Sequence, residues 1–191
     1  MTDSEIQGRL EVAARLRLEG DVQAAVAEYE NLVRRGCAFA TVQLGFMLQQ
    51  GDVVAKDEAR AEELLCRAAE SGDWLGKYFY ANFLESVQRS EEAFGLMNST
   101  AAVGHLPAIN RLGLYYLKGT GCEADELAGI HYRTYAADYG HLFAKKWRAA
   151  RRMKGFEGLG RVLPGVVEFL SSTVMIFWLT VRAPNDPRVV A

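Results

Sequence analysis

The sequence predicts an all-α fold: a solenoid of about four helix-turn-helix repeats, then a capping helix and a C-terminal hydrophobic helix. Small residues recur at a fixed spacing along residues 6–144, and a glycine follows every second apolar segment. The chain is rich in Ala, Leu, Glu and Arg and has only 4 prolines, a composition that favours helix. One helix pair cannot bury its apolar side alone, so successive pairs must stack.

The first helix of each pair carries a small residue, an apolar one four positions later, a small one at the fifth and a large apolar one at the eighth. This spacing places all four on one side of a helix, where the small residues let neighbouring backbones approach. The motif starts at Gly8, Ala40, Gly76 and Ala108, with a degenerate fifth copy at Ala144. These starts are 32, 36, 32 and 36 residues apart. The chain therefore repeats a unit of two helix pairs.

The second helix of each pair ends at a glycine, eleven residues after its own first small residue. We expect these glycines to adopt the left-handed conformation that closes a helix: Gly36, Gly72, Gly104 and Gly140. Asp57 and Asp125 precede the second helices of the second and fourth pairs, where an aspartate caps exposed N–H groups. Those two pairs also have the longer internal loops.

Two segments resemble a known repeat family. They are LGFMLQQGDVVAKDEARAEELLCRAAESGD and LGLYYLKGTGCEADELAGIHYRTYAADYGH, and both are similar to Sel-one-like repeats (SLR), relatives of tetratricopeptide repeats. The Leu-Gly pair, the loop glycine, the aspartate and the Ala-Ala-x-x-Gly ending carry the resemblance, which extends over residues 6–144. It implies right-handed superhelical solenoids that bind proteins or peptides and act as adaptors, and it does not specify the partner.

Similarity to tetratricopeptide modules implies that the first helix of each pair lines a concave binding face. Apolar side chains there would anchor a partner, and amides would bind its backbone. The expected partner-binding residues are Phe39, Phe46, Gln49, Tyr78, Asn82, Asn110, Leu114, Tyr115 and Lys118. The alternative is that several of them only pack against a neighbouring helix.

Charge is distributed unevenly along the chain. Residues 1–144 carry 13 basic and 21 acidic side chains, which argues against a nucleic-acid surface. Residues 145–161 are strongly basic, which suits an anionic membrane surface. The basic set is Lys145, Lys146, Arg148, Arg151, Arg152, Lys154 and Arg161. In the predicted capping helix we expect Phe143, Trp147 and Ala150 to cover the fourth repeat, with Lys145, Arg148 and Arg152 facing outward.

Residues 162–181 form an apolar segment with one charge, Glu168. As a helix it is roughly 30 Å long, which matches the hydrocarbon thickness of a bilayer. Glu168 and Ser172 give it a narrow polar side. Three readings follow: a spanning helix packed on a partner, a helix lying in the membrane plane, or a soluble helix folded back over the last repeat.

Catalytic and cofactor motifs are not found in the sequence, so we predict no enzyme and no cofactor or metal site. The three cysteines, Cys37, Cys66 and Cys122, have no metal-binding spacing and follow no signal peptide, which predicts a reduced, cytoplasmic repeat region. His105 and His141 both follow a repeat glycine, where a role at a helix end is expected.

The sequence thus predicts two parts: a repeat solenoid with its capping helix over 1–154, and a basic linker, apolar helix and short tail over 155–191. The leading hypothesis is a protein-binding adaptor, tethered by its C-terminal helix to the cytoplasmic face of a membrane and serving envelope or polysaccharide assembly. The alternative is a soluble scaffold in which that helix mediates homo-oligomerisation or docks a partner.

Overall fold

The computed structural model describes residues 3–155, 160 and 162–182, and it contains ten α-helices and no strand within that part of the chain. The all-helical prediction is confirmed. The helices are α1 (Asp3–Glu19), α2 (Val22–Arg34), α3 (Ala38–Gln50), α4 (Glu58–Glu70), α5 (Trp74–Ser86), α6 (Ser90–Ala102), α7 (Leu106–Lys118), α8 (Glu126–Asp138), α9 (Leu142–Met153) and α10 (Val162–Arg182).

The helices form two compact units, Met1–Gln88 with α1 to α5 and Arg89–Ala191 with α6 to α10. Within each unit every helix packs against the next one along the chain. In the first unit α3 also contacts α5, so these two first helices form one layer with α4 packed on both. The boundary predicted at residue 154 falls inside the second unit, between α9 and α10, and stays a prediction.

The predicted helix ends are confirmed. Asp57 Oδ1 accepts a hydrogen bond from the Arg60 backbone N–H at 3.0 Å, and Asp125 Oδ1 accepts one from Ala128 at 2.9 Å. The four repeat glycines have positive φ angles, from 79° at Gly36 to 103° at Gly140. His141 is buried at the start of α9, and its Nδ1 accepts a hydrogen bond from the Ala144 N–H at 3.2 Å. His105 is the N-cap residue of α7, but its side chain makes no capping bond.

The small residues act as the spacing predicts. A Cβ on Gly76 would lie 2.2 Å from the carbonyl oxygen of Ala68, so α5 meets the backbone of α4 there. Large buried side chains form the core of the first unit between these closely packed helices, among them Tyr29, Leu32, Leu44, Leu65 and Phe83. Close approach thus positions the surface side chains of α3 and α5.

In the second unit, α9 covers α8 and α10 covers α9. The Trp147 ring of α9 lies 4.3 Å from the Arg133 guanidinium of α8, as expected for a capping helix. Leu142 of α9 and Leu179 of α10 share a buried cluster, while at the other end Gly165 approaches Ala149 and Arg152 closely. The two helices therefore run antiparallel along their whole length.

Candidate functional site

The first helices present the same three positions to solvent in the second, third and fourth pairs. We number each position by its distance from the first small residue of the motif, so that the sixth position lies six residues after it. The third and sixth positions are half-buried and the tenth is exposed in all three helices. The sixth positions are Phe46, Asn82 and Leu114. By contrast, the second position is buried every time. The exposed side of each first helix is therefore set by the repeat register.

In the first unit this side forms a continuous surface across α3 and α5, which we call the α3–α5 surface: Gln43, Phe46, Gln49, Gln50, Phe79, Asn82 and Ser86. The Phe46 and Phe79 rings meet edge to face with centroids 5.6 Å apart. Further along, the Gln49 side-chain amide donates to Ser86 Oγ at 3.0 Å. The surface thus combines aromatic rings with amide and hydroxyl groups.

Asn82 lies on this surface with one hydrogen-bonding group unused. Its side-chain oxygen is buried and accepts no hydrogen bond. A buried acceptor without a donor is unfavourable by about 1–3 kcal/mol. This oxygen is covered by protein atoms, so the unused acceptor belongs to the interior of the first unit, whereas the half-buried side chain as a whole contributes a polar group to the surface of α5.

Three of the expected partner-binding residues are buried in their units. Tyr78 is 1% exposed and Tyr115 is 0% exposed, so these rings pack in the interior and offer a partner no surface. Asn110 is also buried, and its Oδ1 accepts a hydrogen bond from Arg133 Nε at 3.2 Å. For these three, the alternative of packing against neighbouring helices describes what the structure shows.

The remaining expected residues reach the surface. Phe39 and Leu114 are half-buried and Lys118 is exposed at the end of α7. Sequence reasoning missed the third motif position, occupied by Gln43, Phe79 and Arg111, although its spacing from the sixth and tenth positions is that of one helix face. Reading the motif register across all the first helices would have found it.

Two arginines of α9 do not face outward as the sequence suggested. Arg148 Nη2 donates to Glu168 Oε1 at 2.5 Å, and Arg152 Nη1 donates to Glu168 Oε2 at 2.6 Å. Arg148 also pairs with Asp138 of α8. The reason for the error is that α10 folds back along α9, so the one carboxylate in its apolar sequence needs cationic partners.

The pKa values of two arginines in the second unit are shifted in opposite directions. Burial alone would lower the pKa of Arg148, but the hydrogen bonds to Glu168 and Asp138 outweigh it and raise the pKa above its usual value. Burial lowers the pKa of Arg133 to about 10. Both side chains stay cationic at neutral pH, so Arg133 holds Asn110 and Trp147 together as a charged group.

The other basic residues of the predicted set, in and after α9, differ in exposure. Lys145, Lys146 and Arg151 are half-buried and Lys154 is exposed; Arg161 lies outside the described residues. Lys146 Nζ lies 5.2 Å from the centroid of the Phe169 ring on α10. Among the described residues, neither Lys145 nor Lys146 forms an ion pair.

Helix α10 exposes much of its apolar sequence. Val162–Thr180 is long and apolar enough to cross a bilayer, with a mean hydropathy of 1.8, and 17% of its most apolar window is buried. A single such helix is weak evidence for a membrane, because helices of soluble proteins pass the same test.

Comparison with known proteins identifies the repeats. The Sel1 repeat family model matches residues 38–73 and 106–141, which are the second and fourth helix pairs. These two segments are Sel1 repeats. They are the segments in which the sequence resemblance is strongest, and Sel1 repeats generally act in protein–protein interaction on a non-catalytic scaffold fold. No curated protein matches the chain at a significant level.

Solved structures show the same fold. One similar structure is a Sel1 repeat protein from Oxalobacter formigenes, with a TM-score of 0.69 and 17% identity over 96% of this chain and 84% of that one. Another is a protective antigen of uropathogenic Escherichia coli strains that displays an SLR fold, with a TM-score of 0.66 and 17% identity. The match covers 89% of this chain and 42% of the antigen. The predicted solenoid class is confirmed.

Proposed function

We propose that this protein is an adaptor that binds a segment of another protein on the α3–α5 surface. The observation that carries the proposal is that the repeat register brings aromatic and amide side chains to one surface of α3 and α5, where the Phe46 and Phe79 rings are in contact. A peptide in extended conformation offers the matching chemistry, because its backbone supplies N–H donors and its side chains fill apolar contacts. The role requires no catalytic residue, and we propose that the protein is not an enzyme.

The same proposal places the adaptor at the cytoplasmic face of a membrane, attached through α10. The support is the exposed apolar sequence of α10 together with Lys145 and Lys146 of α9, which form no ion pair within the described part of the chain. A setting in envelope or polysaccharide assembly is part of this proposal, and it rests on the combination of solenoid, basic segment and apolar helix. In this arrangement the repeats lie in the cytoplasm and bind their partner close to the membrane surface.

A second candidate is a soluble scaffold in which α10 mediates self-association. It is favoured by one observation: the five most exposed large apolar residues of α10 are spaced alternately four and three residues apart, as in a coiled-coil seam. If this is the function, a truncation after Gly160 converts an oligomer into a monomer in detergent-free buffer, measured by light scattering. An unchanged mass for the truncated chain counts against it.

The binding proposal is tested by comparing two matched asparagine substitutions in pull-downs from the host cell. Asn82→Leu removes the side-chain amide from the α3–α5 surface, whereas Asn98→Leu makes the same change at an exposed position on the second helix α6. We expect Asn82→Leu to lower recovery of the specific partner roughly tenfold, the effect of losing one well-placed hydrogen bond. If both variants recovered the partner equally well, the α3–α5 surface would not be the binding site.

A further inference from the structure

The side of α10 that faces away from α9 carries a row of exposed apolar side chains. We call it the apolar stripe: Leu163, Val167, Leu170, Val174 and Phe177, which are between 60% and 74% exposed. On the opposite side Gly165, Ser172 and Leu179 are buried against α9. Such a continuous apolar row is unfavourable in water, and rows of this kind mark interaction surfaces.

The contact between α10 and α9 makes it costly for α10 to cross a bilayer. Helix α9 carries five basic side chains, and two of them, Arg148 and Arg152, hold Glu168. If α10 crossed a bilayer with α9 attached, those charges would enter hydrocarbon. If α9 detached, Glu168 would enter it without its partners. Both are costly, because isolated charges are poorly tolerated inside a bilayer.

Three cationic side chains lie near the apolar stripe, on α9 and at the end of α10. Lys145 lies on one side of α10, in a cleft that it shares with Val167 and Ser171. Lys146 lies against Phe169 on α10, and the exposed Arg182 stacks on Trp178 at the end of the helix, 5.0 Å from the ring centroid. Lysine and arginine on the flanks of an in-plane helix reach the phosphate level while the apolar side enters the acyl region.

The same charge argues against a second copy of this chain as the occupant. Within the described residues 142–182, seven basic side chains face one acidic side chain. Placing two such hairpins side by side brings like charges together, whereas an anionic lipid surface complements them.

We infer that α10 lies in the plane of an anionic membrane surface with α9 still attached, and that it does not cross the bilayer. In this arrangement the apolar stripe enters the acyl boundary, Lys145, Lys146 and Arg182 contact lipid phosphates, and the Arg148–Glu168–Arg152 bridge stays intact. The inference rests on the proposed membrane attachment and specifies its geometry.

The test locks α10 to α9. In the full chain with Cys37, Cys66 and Cys122 replaced by serine, Leu142→Cys and Leu179→Cys place a disulfide within their shared cluster. We expect oxidised and reduced forms to sediment equally with vesicles of phosphatidylcholine and phosphatidylserine, and much less with phosphatidylcholine alone. Loss of binding on oxidation overturns the inference, because it shows that α10 must leave α9.

Extraction of membranes with alkaline carbonate is an independent test. Release of the wild-type chain supports the in-plane arrangement, and retention overturns it.

Point variants identify the contacts. Phe177→Ser should lower vesicle partitioning roughly tenfold, the loss expected for one large apolar side chain, whereas Leu127→Ser, at an 81% exposed position on α8, leaves it unchanged. Lys145→Glu with Lys146→Glu should abolish the preference for anionic vesicles, and Lys118→Glu should not. If no form binds vesicles, the membrane attachment itself fails. If Phe177→Ser instead turns a stable dimer into a monomer without affecting vesicle binding, a second copy covers the stripe.

Discussion

The carboxylate of Glu168 on α10 accepts a hydrogen bond from Arg152 on α9 at 2.6 Å, across a sequence separation of 16 residues. With Arg148 it makes a three-residue bridge whose side chains are 11–19% exposed. This bridge fixes α10 against the repeat region, and it gives a surface helix of mainly apolar sequence one defined orientation.

Breaking the bridge should loosen α10. Glu168→Gln removes the counter-charge that α10 supplies to two poorly hydrated arginines and leaves Arg148 with Asp138 of α8, which we expect to destabilise the α9–α10 contact by about 2 kcal/mol. Hydrogen–deuterium exchange in detergent-free buffer should show faster exchange along α10. Glu123→Gln, in an exposed loop of the same unit, is the control and should leave the exchange unchanged. Equal protection of α10 in both variants would mean that the bridge does not hold the helix.

Close backbone packing should make Gly76 intolerant of a methyl group. A Cβ there would lie 2.2 Å from the Ala68 carbonyl oxygen, so Gly76→Ala must separate α5 from α4 and should lower the free energy of unfolding by about 2 kcal/mol or more. Gly95 lies in α6 with nothing within 4 Å of its added Cβ. Gly95→Ala should therefore stabilise the protein by roughly 0.5–1 kcal/mol, through helix propensity. Urea denaturation of both variants checks the contrast, and a similar midpoint for the two contradicts it.

The N-cap of α8 should depend on an acceptor at residue 125. Asp125→Ala removes the hydrogen bond to the Ala128 N–H and should lower the free energy of unfolding by about 1 kcal/mol. Asp125→Asn keeps an acceptor of similar capping strength, so its loss should be a few tenths of a kcal/mol. Thermal unfolding followed by circular dichroism distinguishes them. An equal loss for both variants would assign the effect to charge rather than to capping.

Asn82 should contribute to binding without contributing to stability. Its buried oxygen has no donor in the free protein, so Asn82→Leu removes an unfavourable group and should leave the free energy of unfolding unchanged or raise it by up to about 1 kcal/mol. Urea denaturation provides the measurement. A loss of stability would show that the side chain supports the fold, and its binding role would then need another explanation.

Local signals in the sequence were sufficient for the helices and their ends. Helix capping by Asp57 and the left-handed turn at Gly140 depend on a few neighbouring residues, and the close approach at Gly76 follows from a spacing that recurs along the chain. These features were predicted because each depends on residues in the same or the adjacent helix, at spacings that recur along the chain.

Features that depend on distant residues were not predicted. Arg148 was expected at the surface because the return of α10 along α9 leaves no signal in α9 itself. Tyr78 and Tyr115 are as suitable for a surface as for a core, and only the neighbouring helices decide that both are buried. The apolar sequence of α10 likewise fits water-facing, in-plane and spanning positions by length and composition alone.

Site-specific photo-crosslinking tests the adaptor account most directly. A benzophenone side chain introduced at Gln50 or Ser86, both exposed on the first helices of the α3–α5 surface, is compared in the host cell with one at Glu63, exposed on the second helix α4. The account predicts that the positions on α3 and α5 crosslink to the same segment of one protein, and that position 63 does not. Equal crosslinking from position 63, or different proteins captured from positions 50 and 86, would contradict it.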